Sequence, residues 1–122
     1  MKIFNKVKGN TGEQFAADYL KKKGYKILER NYKNNIGEID IIARQKKTIV
    51  FVEVKTRSSL QFGNPSEAVN FHKQHKIRQV AQCYIIQKHL EETDYRFDVI
   101  EVLIGNESGS DNVDINHIED CF

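Results

Sequence analysis

Two acids and a lysine occupy positions from which they could hydrolyse a phosphodiester: Asp40 on one predicted strand, and Glu53 and Lys55 on the next. Residues two apart in a strand share a face, so Glu53 and Lys55 point one way while Val50, Val52 and Val54 point the other. On the preceding strand Glu38, Asp40 and Ile42 share one face, with Ile39, Ile41 and Ala43 opposite. A hairpin turn at residues 45–47 then brings Asp40 level with Glu53. Charges buried among Val and Ile are costly unless they are paired or bind a metal, and a divalent cation answers that cost. Two carboxylates and a neighbouring backbone carbonyl, that of Val54, suit Mg²⁺, a hard ion that keeps several waters, with Mn²⁺ expected to substitute. The chemistry implied is metal-assisted attack of water on phosphorus, with Lys55 positioning or deprotonating the water. Glu13 joins from an upstream helix. At helical spacing it stacks with Ala16, Ala17 and Leu20 at the edge of the core stripe, where it could bind a second metal or orient the water.

A Glu-x-Lys in a strand is, taken alone, most often a surface ion pair. It is the combination that points to a nuclease-type site: an acid-bearing strand, a basic turn, a Glu-x-Lys strand and an upstream helical Glu, in the order αβββαβ.

The elements that must position these residues are legible from periodicity. Asn10 or Thr11 can cap a helix over about residues 11–23, with Phe15, Ala16, Tyr19 and Leu20 on one face and Gly24 ending it. Tyr25–Tyr32 alternates as a strand, Lys33-Asn34-Asn35 turns, and Ile36–Arg44 forms a second strand. Thr48–Lys55 is β-branched and apolar enough for a central strand buried on both faces, so the three should form a meander. Residues 56–64 read as a loop. Asn64-Pro65-Ser66-Glu67 then reads as a helix start, and the helix, with a break near Asn70, buries Ile77, Val80, Ala81, Tyr84 and Ile85 and runs to about Leu90. Tyr95–Ile104 is a fourth long strand, Gly105–Asp111 a turn, and Val113–Ile118 a short edge strand.

The 122 residues suffice for one domain, read as an endonuclease-like unit over 1–122 with a short acidic segment at 105–122. No apolar run approaches the roughly 20 residues of a membrane span, and the basic start has no apolar stretch behind it, so a cytoplasmic protein is expected. Cys83 and Cys121 form no disulfide framework and read as free thiols. The net charge of +2 conceals an asymmetry: residues 1–90 hold 18 of the 19 Lys and Arg but 7 of the 17 Asp and Glu. A basic body fits a polyanionic partner, although a solvated surface with an acidic tail explains the charge equally well.

Lys46, Lys47, Arg57, Lys73, Lys76 and Arg78 are the candidate phosphate contacts, each alone also explicable as a solvated charge. Phe62 could stack on a splayed base or cover the core edge. His72, His75, His89 and His117 lack metal spacing and read as surface or DNA-side residues. Ser58 and Ser59 have no activating His-Asp arrangement, which removes a serine-hydrolase reading.

The runs Gly37-Glu38-Ile39-Asp40-Ile41-Ile42-Ala43, Phe51-Val52-Glu53-Val54-Lys55-Thr56-Arg57 and Arg96-Phe97-Asp98-Val99 resemble the YraN family of bacterial proteins. Gly12-Glu13 with Ala16–Leu20, Gly24-Tyr25, Lys73-Gln74 with Lys76-Ile77, and the closing His117–Phe122 match as well. That family is a branch of the PD-(D/E)xK nucleases related to archaeal Holliday-junction resolvases. The resemblance implies an α/β, restriction-endonuclease-like fold with a mixed four-stranded central sheet flanked by helices. It makes Asp40 and Glu53 metal ligands, Lys55 the catalytic lysine and Glu13 the helix-borne glutamate. The superfamily's proline is replaced by Ile39, which leaves the ligand intact, and Glu38 is either an alternative ligand or a residue that orients the strand. The implied activity is a Mg²⁺-dependent endonuclease on DNA, branched or damaged DNA included. Related resolvases work as dimers, so a homodimer is the implied assembly. The alternative is a non-catalytic nucleic-acid-binding module that keeps the fold, but a decayed site should have lost one of Asp40, Glu53 and Lys55, and all three are present.

Overall fold

The computed structural model describes the backbone of residues 2–58, 70–105 and 113–122, and the side chains of 12–57, 70–105 and 113–122. In chain order the elements are α1 (Lys2–Lys22), β1 (Lys26–Lys33), β2 (Glu38–Gln45), β3 (Thr48–Ser58), α2 (Phe71–Gln87), β4 (Tyr95–Ile104) and β5 (Val113–Ile118). The strands form one sheet in the order β1-β2-β3-β4-β5. β1, β2 and β3 are the expected antiparallel meander, β4 lies parallel to β3, and β5 runs antiparallel to β4. The sheet is therefore mixed, as expected, but has five strands rather than four. Val113 and Ile115 pack into the core beneath α1, which gives β5 an apolar face to bury. This α/β architecture is compatible with a restriction-endonuclease-like fold.

β3 is buried on both faces. Ile49 and Phe51 pack with Ile77, Val80, Ala81, Tyr84 and Ile85 of α2, while Val50 and Val52 pack with Ala16, Ala17 and Leu20 of α1. Phe51 stacks on Phe97 with centroids 5.4 Å apart and meets Tyr84 edge-on.

α1 begins at Lys2, earlier than the expected start at residue 11, so Asn10 and Thr11 lie inside the helix and do not cap it. No proline interrupts residues 2–10, and Gly9 costs only about 1 kcal/mol against alanine, which does not stop a helix that continues into a packed face. Its other end follows the sequence signal. Gly24 sits at φ +92°, Tyr25 N–H donates to Leu20 O (2.9 Å) and Gly24 N–H to Lys21 O (3.0 Å), the paired closure of a glycine-terminated helix.

The helix-start reading at Asn64–Glu67 lies outside the described residues. The described helix α2 is capped at Asn70, whose backbone is extended (φ −72°, ψ 170°) and whose side chain accepts the Lys73 N–H at 2.8 Å. The anticipated break at Asn70 is thus the N-terminus of α2.

Two local departures from regular pairing shape the region around Asp40. β1 shifts register between Ile27 and Glu29, and Asn31 takes a left-handed φ of +53°. The β2–β3 ladder, regular from Gln45↔Thr48 to Ile41↔Val52, has no recorded pair beyond it at Asp40 and Glu53. The strict alternation expected for β2 fails here: Ile39 packs in the same cluster as Ile42, under α2, rather than with Ile41 and Ala43.

Candidate active site

Where β2 leaves the ladder, a side chain replaces the missing backbone partner. Asp40 Oδ2 accepts the Val54 N–H at 2.8 Å, which ties Asp40 to the strand that carries Glu53 and Lys55. The hairpin expectation is met in this form: Asp40 and Glu53 are neighbours whose carboxyls act on one another. Glu53 is only 5% exposed. Burial first, and then the charge of Glu53, push the Asp40 carboxyl up to about 7, against the pull of the Val54 N–H. Two carboxyls sharing a desolvated space cannot both ionise without a compensating cation.

The structure supplies two ammonium groups beside them. Lys55 Nζ lies 3.7 Å from Glu53 Oε2, and Lys73 Nζ pairs with the same oxygen. Burial and the adjacent Lys73 hold the Lys55 ammonium below the ordinary lysine range, despite Glu53 and Asp40. Lys73 moves the other way: burial pulls it down, but its hydrogen bond to Glu53 and that carboxylate's charge hold it above the ordinary range. A lysine eased toward its neutral form can take a proton from water, and one held charged can only donate hydrogen bonds.

Lys73 is thus placed inside the centre and not, as expected, on its phosphate-tracking rim. Helical phase carried the signal, since Lys73 stands four residues before Ile77, the first buried residue of α2. The Asn70 cap fixes the turn from which it reaches.

Glu13 approaches from α1, where Gly12 lets the helix come close to β3. A Cβ on Gly12 would fall 2.0 Å from Thr56 Oγ1 and 3.1 Å from Thr56 Cβ. The Glu13 carboxyl is raised by burial, lowered by Arg30 and by a hydrogen bond with Asn31, and raised again by Glu38 and Glu53. Its closest ion-pair partner is Arg30 Nη2 at 4.0 Å. Glu13 therefore shares the field of the Asp40–Glu53 pair while being held toward β1, and exposed Glu38 stands at its edge.

The other basic candidates separate from this centre. Lys46 and Lys47 form the two-residue turn before Thr48, about 17 Å along β3 from Glu53 at the usual strand rise. They border a surface depression with Arg44, Leu90, Glu92, Thr93 and Asp94. Arg57 lies past Lys55 but pairs with buried Glu101, Nε to Oε2 at 3.2 Å. Lys76 and Arg78 are exposed on α2. The guanidinium of Arg78 sits 5.0 Å from the Phe97 ring centroid and 5.9 Å from that of Phe122.

A second polar cluster lies on the α1 side of the sheet, and it corrects the reading of His117 as a surface or DNA-side residue. The His117 side chain is 6% exposed, with Nε2 2.7 Å from Asp98 Oδ2 and Nδ1 3.1 Å from Tyr19 Oη. Asp98 is fully buried and also takes Arg96 Nε at 3.0 Å and the Asp120 N–H at 2.9 Å. Arg96 donates onward to Tyr25 Oη and Gln45 Oε1. Alternation was the overlooked signal: Val113, Ile115 and His117 share a face of β5, and that face is the core face.

Two carboxyls with oxygen donors only, set against one another beside Lys55 and Lys73, fit a Mg²⁺-type ion that draws its remaining ligands from water and phosphate. Among the described residues, no group of three or more His, Cys, Asp or Glu side chains is arranged to hold a metal ion. The donor set is thus sparse and hard, unlike the closed nitrogen and sulfur sets that favour zinc.

No helix among the described residues is long and apolar enough to cross a membrane. The profile of a family described as "Uncharacterised protein family UPF0102" matches residues 12–102, a span that holds every member of the centre. A UPF0102 protein of Caldanaerobacter subterraneus subsp. tengcongensis is 54% identical over 121 residues, covering 99% of this chain and 98% of its own. One from Clostridioides difficile is 52% identical over 97% of this chain and 98% of its own, and one from Clostridium botulinum is 51% identical over 100% and 98%. These matches extend from α1 through β5, so the Glu13, Asp40, Glu53, Lys55 and Lys73 positions all lie within the shared region. The chain belongs to the UPF0102 family, the YraN family whose motifs its sequence resembles.

Proposed function

We propose that this protein is a metal-dependent endonuclease that hydrolyses phosphodiester bonds in DNA, with Asp40 and Glu53 as metal ligands and Lys55 as the residue that acts on the attacking water. The observation that carries this reading is the pairing of half-buried Asp40 with buried Glu53, in which desolvation and mutual repulsion push Asp40 up to about 7 with a lysine at hand. Structural ion pairs do not need a second carboxylate forced against the first. A site that binds a divalent cation does.

In this reading Asp40 and Glu53 would hold Mg²⁺ or Mn²⁺, which supplies charge neutralisation at phosphorus and acidification of water. Asp40 is oriented by the Val54 N–H, which commits its Oδ2 and sets the direction of the carboxyl. Lys55, eased below the ordinary lysine range by burial and Lys73, orients the water and accepts its proton. Glu13, held by Arg30, adds negative charge at the edge of the site and positions water there. The basic balance of residues 1–90 supports a polyanionic substrate.

The test is incubation of the purified protein with linear, flap, hairpin and four-way-junction DNAs in Mg²⁺, in Mn²⁺ and in EDTA. Metal-dependent cleavage of at least one substrate is expected. Binding without cleavage in either metal would overturn the enzymatic reading in favour of a nucleic-acid-binding module.

A further inference from the structure

We propose that Lys73 is the resident counter-ion of Glu53 in the metal-free protein, and that a divalent cation binds by displacing it and freeing its ammonium for the phosphate. The inference rests on the metal-ligand reading of Asp40 and Glu53. Lys73 Nζ pairs with Glu53 Oε2, the oxygen that Lys55 Nζ approaches at 3.7 Å, so one carboxylate oxygen serves two ammonium groups. Asp40 forms no ion pair of its own among the described residues and accepts the Val54 N–H. Two carboxyls thus face two ammonium groups, and both ammonium groups crowd the one Glu53 oxygen.

A divalent ion added to that set brings two more positive charges to the carboxyl pair, and repels the ammonium on the oxygen it needs. One lysine must leave. Lys73 is better placed to do so, because its side chain is 43% exposed against 26% for Lys55, and it reaches Glu53 from the capped first turn of α2. An unbranched lysine stem turns out into solvent while its helix stays fixed. Released from Glu53, the ammonium pairs with a phosphate oxygen of the bound strand, so the metal and the phosphodiester favour one another's binding.

The test is Mn²⁺ titration of the full chain, with free Mn²⁺ followed by electron paramagnetic resonance, for wild type, Lys73→Gln, Lys73→Ala, Lys73→Arg and Asp40→Asn. Both neutral substitutions should tighten Mn²⁺ binding by about five- to tenfold, because the competing charge is gone. Lys73→Arg should stay close to wild type or bind more weakly, and Asp40→Asn should lose binding. Mn²⁺ affinity unchanged or weakened in both neutral variants, with wild type binding normally, overturns the displacement and leaves the metal site standing. Absence of Mn²⁺ binding in wild type and in both neutral variants overturns the metal-site reading, and this inference with it.

Discussion

The Val54 N–H donates to Asp40 Oδ2 at 2.8 Å where regular pairing of β2 with β3 ends. One hydrogen bond thus satisfies a backbone donor freed by the splayed strands and aims a carboxylate at Glu53. Placing two acids together in this way burdens the fold for the sake of the site.

That burden makes Asp40→Asn a stabilising substitution at alkaline pH. A carboxyl whose folded pKa is raised from its usual value to about 7 binds its proton more tightly in the folded state, so stability falls as pH rises through the window between those two values. The asparagine keeps an oxygen for the Val54 N–H and carries no charge. In EDTA at pH 8, urea unfolding should show the variant more stable than wild type by on the order of 2 kcal/mol, with the difference shrinking toward pH 4. A less stable variant at pH 8 would contradict the like-charge account.

Asp98 behaves in the opposite sense. Burial would raise its carboxyl, but hydrogen bonds from His117, Arg96 and the Asp120 N–H outweigh burial and leave it below the ordinary range. A depressed folded pKa means stability that is complete above the unfolded carboxyl value and is lost as pH falls through the folded one. Asp98→Asn should cost about 2–4 kcal/mol at pH 7, because it leaves the Arg96 charge short of its partner. The gap from wild type should narrow in urea titrations below about pH 4. A constant gap across that range would show that the Asp98 charge is not what stabilises the network.

Gly12 tests the approach of α1 to the site. In an unobstructed helix, Gly→Ala gains about 1 kcal/mol. Here the added methyl meets Thr56 Oγ1, Cβ and Cγ2, and the threonine cannot clear all three by rotating. Gly12→Ala should therefore destabilise by about 1–3 kcal/mol in thermal or urea unfolding, with partial recovery when combined with Thr56→Ala. A stabilised single variant would place α1 farther from β3.

The Asp40–Glu53 juxtaposition was legible because a two-residue turn with Gln45 opposite Thr48 sets the register for the whole hairpin, and that register brings residue 40 opposite residue 53. The side-chain period then put Glu53 and Lys55 on one face. The same arithmetic places Lys46 and Lys47 at the far end of β3, a consequence the charge-based reading passed over. Less legible was the break at Asp40, because strand alternation alone predicts that pairing continues to Glu53, whereas the ladder stops at Ile41↔Val52. Lys73 and His117 sit deeper than composition suggests, for a shared reason. A charged or polar residue among charged neighbours reads as surface by composition, although helical phase for one and strand alternation for the other pointed inward.

The central claim is tested most directly by single-turnover cleavage in Mg²⁺ of the DNA that wild type cuts best, comparing wild type with Asp40→Asn, Glu53→Gln and Lys55→Ala. Each variant should retain its fold by circular dichroism and its DNA binding while losing at least about 100-fold in cleavage rate. Cleavage by Asp40→Asn and Lys55→Ala at the wild-type rate would contradict the account, because the activity would then arise elsewhere than at the carboxylate pair between β2 and β3.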